Sequence, residues 1–152
     1  MFLDMKKISK ISCEKLQDFF VIDQQIENLK NQLEFEESNK DVNSFIKSKN
    51  KRENTVENKV IKRIMIENKI NEKLLWKEII GDILDGYKKT YKPKYDYIIE
   101  KFMNHKTDQD IAQDLFMANN TQYRYKQEIA YHIGIIAVSK NLILISEIEK
   151  KM

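Results

Sequence analysis

Five side chains on one short stretch, Asn119, Asn120, Tyr123, Arg124 and Gln127, have the types and spacing to recognise the edges of nucleic-acid bases. Asparagine and glutamine carry a donor beside an acceptor, which matches adenine, and the arginine fork matches guanine. In the same segment Tyr125, Ile129 and Ile133 recur every four residues, so they share the inward face of a helix. That leaves the five polar residues on its outer face, close to the helix start. Lys106, Gln122 and Lys126 are placed for contacts to phosphate, which fix the register of a helix on a duplex without reading its sequence.

These residues need a scaffold, and the stretch "TDQDIAQDLFMANNTQYRYK" (Thr107 to Lys126) outlines one. Thr107 can cap a helix whose first turn carries Asp108 and Asp110, where negative charge is favoured. Ile111, Ala112, Leu115 and Phe116 form its expected buried face. "MANN" is the turn, with Met117 plugging the core beneath it. Upstream, a helix from about residue 94 to 103 turns Tyr97, Ile98 and Phe102 inward, and "NHKT" breaks it. Three helices of this kind, the last two joined by a tight turn, form a helix-turn-helix, whose final helix inserts its N-terminal turns into the major groove. Lys101 to His132 holds four Lys/Arg against four Asp/Glu. Counterion release from this region alone therefore supplies little affinity, and help is expected from a second copy, the basic central helix or a DNA-bound partner.

The rest of the chain reads as helix. Leu16, Phe19, Ile22, Ile26, Leu29 and Leu33 form one stripe of a long helix, close to a coiled-coil seam and capped by Ser9 or Ser12. "EESNKDVNSFIKSKNKREN" is polar apart from Val42, Phe45 and Ile46 and reads as a loop. Periodicity resumes at Thr55 and continues through Ile66, Ile70, Leu75 and Ile79 to Ile83. Gly86 is the expected C-cap, and Pro93 disfavours helix in Lys92. Glu14 to Asp41 holds eight acids against three lysines, and Lys47 to Lys94 holds fourteen bases against seven acids. An antiparallel hairpin sets these arms side by side; in a second account the basic helix also touches phosphate. In the tail, Ala137, Asn141, Leu144, Ile145 and Ile148 keep helical spacing, although "IIAV" and "LILI" around "SKN" also suit paired strands; helix is the favoured reading. The expected fold is all-α: a helical arm over 1–92 for oligomerisation or partner contact, then a helix-turn-helix region over 93–152.

Composition narrows the classes further. With 34% charged residues, 41% apolar and a mean hydropathy of −0.62, the chain has no apolar run long enough to span a bilayer and no signal-peptide stretch at its start. Cys13 is the single cysteine and fits a reducing cytoplasm. Neither His105 nor His132 has a ligand partner at zinc spacing, and no cofactor or metal is expected. Asp108, Asp110 and Asp114 read as a solvated face. There is no glycine-rich phosphate loop and no nucleophile–base pair, so the chain is not read as an enzyme. Trp76 reads as core, and Tyr87, Tyr91, Tyr95 and Tyr97 as packing at a helix junction beside Lys88, Lys89, Lys92 and Lys94.

The segment "YIIEKFMNHKTDQDIAQDLFMANNTQYRYKQEI" resembles the C-terminal helix-turn-helix of phage-encoded late-operon transcriptional activators of the RinA and ArpU kind. It is similar, more distantly, to the promoter-reading region four of sigma factors. The resemblance implies a transcriptional activator acting in the cytoplasm of a bacterial host. Its implied partners are double-stranded DNA, RNA polymerase and a second copy through the N-terminal helices. By the same likeness Asn119, Asn120, Tyr123 and Arg124 match base-reading positions. Ala118 stands where such motifs place a serine or threonine cap, and Gln122 stands at a usually apolar inward position. The rival readings are a DNA-packaging recognition subunit and a helical adaptor or inhibitor that binds protein alone.

Overall fold

The computed structural model describes the backbone of residues 3–43 and 49–149 and the side chains of residues 3–36 and 56–149. The expected apolar positions Val42, Phe45 and Ile46 lie outside the described side chains. Among the described residues all regular structure is helical, apart from one isolated bridge between Leu3 and Glu149, so the fold is all-α. The chain divides into two compact units: Ile22–Leu75, and Met1–Val21 together with Trp76–Met152. The first helix and the last third of the longest helix group with the C-terminal elements.

Helix α1 spans Met5–Phe19 and α2 spans Ile22–Asn43. The stripe from Leu16 to Leu33 is therefore carried by two helices, interrupted at Phe20 and Val21, rather than by one. Neither serine caps α1. Asp4 does so, its carboxylate accepting from the backbone N–H of Lys6 at 3.0 Å and of Lys7 at 3.3 Å.

Helix α3 spans Lys49–Thr90. Most of the polar stretch expected to be a loop thus lies in the end of α2 and the start of α3. In the Ile22–Leu75 unit the buried apolar side chains are Ile22, Ile26, Ile66 and Ile70. Lys73 Nζ donates to Gln25 Oε1 at 2.9 Å. A contact between the start of α2 and a position well along α3 is what an antiparallel hairpin requires.

Gly86 does not end α3. The helix runs on to Thr90, whose hydroxyl donates back to the Gly86 carbonyl at 2.7 Å. Nor does Pro93 exclude helix from Lys92: α4 spans Lys92–Ile98 with the proline in its first turn. There the fixed φ is already helical and the missing N–H has no partner to lose. The chain continues as a wider, π-helical turn over Ile99–Met103, closed by Asn104 N–H to the Ile99 carbonyl at 2.9 Å. Tyr97, Ile98 and Phe102 are buried, as their spacing predicts.

Helices α5 (Asp108–Asp114), α6 (Asn119–Ser139) and α7 (Ile145–Ile148) complete the fold. Helix α6 is the centre of its unit, and α1 crosses it at Gly134. A Cβ at Gly134 would collide with the Ile8 side chain, so the absent side chain sets how closely the two helices approach. Ser12 is fully buried at the same crossing. In the tail the helix expected through Asn141 and Leu144 is broken over 140–144, where Asn141 takes φ 61°. Ala137, Ile143 and Ile148 are buried, whereas Leu144 and Ile145 are exposed.

Candidate nucleic-acid interface

The α5–α6 corner is built by three devices. Thr107 caps α5, its hydroxyl accepting from Asp110 N–H at 3.1 Å. Ile111 is wholly buried against the core, and Ala112 and Leu115 are half-buried. The end of α5 then closes with Met117 N–H bonding to the Ala112 carbonyl at 3.2 Å, a bond that places Phe116 at φ 53°. This is the position where helix ends usually take glycine. The reversal swings Met117 inward, where it is 7% exposed, and turns Phe116 outward, where it is 95% exposed. Phe116 was expected on the buried face of α5. The left-handed residue after the helix breaks that periodicity and corrects the expectation.

The third device is Gln122. It is 3% exposed, and its amide Nε2 donates to the Asp108 carbonyl at 2.9 Å and the Met117 carbonyl at 3.1 Å. One side chain thereby ties the first turn of α5 and the connecting turn to α6. Gln122 was expected to touch phosphate; its burial and its two backbone bonds make it a staple instead. The signal was legible, because Gln122 stands three residues before Tyr125 and seven before Ile129, on the same face.

Helix α6 starts after Ala118, which offers no side-chain cap. Asn119, Asn120, Tyr123 and Arg124 are exposed near this start, with Tyr123 at 66%, and Gln127 is half-buried. Tyr125, Ile129 and Ile133 are buried on the other side, as expected. The Arg124 guanidinium lies over the Tyr125 ring at 5.6 Å, with Nε 3.7 Å from Glu128 Oε1.

The surrounding cations are largely engaged. Lys101 pairs with Asp108 at 2.7 Å. Lys106, expected at phosphate, is held between Glu100 and Asp114, the latter at 2.8 Å. The hydrogen bond from Lys106 keeps the Glu100 carboxyl below the usual carboxylate range, and the two acids raise the Lys106 ammonium. Lys126, the remaining phosphate candidate, is half-buried beside Cys13. Burial pushes the Cys13 thiol up, and the Lys126 charge only partly offsets it.

Behind the corner, the tyrosine cluster packs as expected. Tyr125 meets Tyr91 and Tyr97 edge-to-face at 5.9 and 6.4 Å. Lys94 sits over Tyr87, Tyr91 and Tyr125 and pairs with Glu128. Tyr87 Oη and His132 Nδ1 share a hydrogen bond at 2.9 Å, and burial, with the Lys94 charge, lowers the His132 pKa. Among the described residues no group of three or more His, Cys, Asp or Glu side chains could hold a metal ion, and no helix is long and apolar enough to cross a membrane. No protein family, curated protein or solved structure matches the chain.

Proposed function

We propose that the chain is a sequence-specific DNA-binding protein, a transcriptional activator of phage or phage-derived late genes. In this reading the start of α6 lies in the major groove. The supporting observation is the division of α6: Asn119, Asn120, Tyr123 and Arg124 face solvent at its first turns, while Tyr125, Ile129 and Ile133 anchor the opposite side. Base-pairing side chains on a firmly seated helix are what direct readout requires. Gln127 sits at the edge of that face. The engaged lysines indicate that contacts to base edges outweigh contacts to phosphate, so a second copy or RNA polymerase supplies the remaining affinity.

The test is duplex binding by the Arg124→Ala variant. It costs about 1–3 kcal/mol on the preferred site and flattens the preference between sites, as loss of a bidentate base contact does. An unchanged footprint on the preferred site removes Arg124 from the reading face. A second reading, a helical adaptor that binds protein alone, is favoured by the near-neutral charge of Lys101 to His132. It predicts no duplex binding at low salt. A DNA-packaging subunit would bind the duplex without raising transcription from a reporter.

A further inference from the structure

The two most exposed large apolar side chains among the described residues both belong to the α5–α6 corner. Phe116 is 95% exposed at the turn, and Tyr123 is 66% exposed on the outer face of α6. Phe116 is also held in the left-handed region, at φ 53°. Glycine takes that conformation without steric cost, so phenylalanine is the more strained choice for closing the turn. Burial of the ring does not offset the strain. A backbone outlier of this kind points to a use outside the fold.

Its place says which use. Helix α6 begins directly after Ala118, and Met117, turned into the core, is the one residue between Ala118 and Phe116. Three residues of chain span at most about 11 Å, roughly three base-pair steps of a duplex, so Phe116 stands within that reach of Asn119. The inference drawn from this rests on the reading of α6 as the helix in the major groove. A base stacked in a duplex shows only its edge there, and a phenyl ring has no polar atom to pair with it. The one apolar mark on a major-groove edge is the C5-methyl group of thymine. Polar residues of the same corner match the other marks, Asn119 and Asn120 that of adenine and Arg124 that of guanine. The cations flanking α5 are already paired, Lys101 with Asp108 and Lys106 with Glu100 and Asp114, so phosphate finds little to hold it beside the ring.

We propose that Phe116 is a further base-reading residue, which selects a thymine by contact of its ring with the thymine methyl group. That thymine lies within about three base pairs of the base that Asn119 contacts. The left-handed turn fixes the direction of the ring relative to α6, and the reading face extends beyond the helix itself.

The experiment uses the full chain and the duplex that it selects from a random pool, with each thymine replaced in turn by deoxyuridine, which lacks only the methyl group. Fluorescence anisotropy finds one position at which the unmodified chain loses about fourfold in affinity, the contribution of one buried methyl group. Phe116→Ala binds the thymine and uracil duplexes equally at that position, with helicity retained in circular dichroism because the ring lies outside the core. Phe116→Leu, which keeps an apolar surface, still prefers thymine. Equal binding of every uracil duplex by the unmodified chain overturns the proposal and leaves the DNA reading of α6 standing. So does a thymine preference that survives Phe116→Ala: its loss in Tyr123→Ala would give the contact to Tyr123, and loss of polymerase binding in Phe116→Ala would give the ring to a protein partner. A chain that selects no duplex at all removes the DNA reading itself, and this inference with it.

Discussion

Two side chains at the α5–α6 corner decide how it is built, and both act differently from what their types suggest. Phe116 holds a left-handed backbone conformation at 95% exposure, a position where a bulky residue gains no packing and bears steric strain. Phe116→Gly relieves strain of about 1–2 kcal/mol, part of which glycine's added chain entropy offsets. The expected result is a melting temperature about 2 °C higher; a lower one would show that the ring has a packing role. Gln122 is the converse case, a polar residue whose work is internal. Gln122→Ala removes two backbone hydrogen bonds and leaves a small void, costing about 2–3 kcal/mol in a urea titration. A residue that touched only phosphate would leave that titration unchanged. Periodicity announced the burial of Gln122 and misplaced Phe116 for one reason: it follows a helix faithfully and cannot see the single residue that reverses the chain.

The helices were legible wherever an apolar stripe faced a core. Tyr97, Ile98 and Phe102, and then Tyr125, Ile129 and Ile133, are buried where their spacing puts them. Element ends were less legible because their signals are local and reversible in meaning. Pro93 starts α4 instead of stopping α3, and Gly86 lies inside α3. Gly134 gave no signal as a lone glycine in a helix; its role appears only once α1 is laid across α6. Gly134→Ala drives a methyl group into Ile8 and is expected to cost about 1–3 kcal/mol. Ile8→Ala in the same chain relieves the clash, so the double variant is more stable than the two separate losses imply. Simple additivity would show that the helices do not meet closely there.

At the scale of the whole molecule, the basic excess between Lys47 and Lys94 left two accounts open, an antiparallel hairpin beside the acidic arm or contact with phosphate. By helical spacing, Lys59, Lys62, Arg63, Lys69 and Lys73 fall on the half of α3 that carries Ile66 and Ile70, where Lys73 meets Gln25 of α2. The putting together of α1 with the C-terminal helices could not be read from spacing, because it depends on contacts between segments more than a hundred residues apart. The recognition surface proposed for that unit is the exposed start of α6. Whether it reads DNA is tested most directly by selection of binding sites from random duplex DNA with the full chain at low salt. A defined motif is the expected result, and in a selection with Arg124→Ala one guanine-bearing position loses its preference. Recovery of the random pool without enrichment would contradict it.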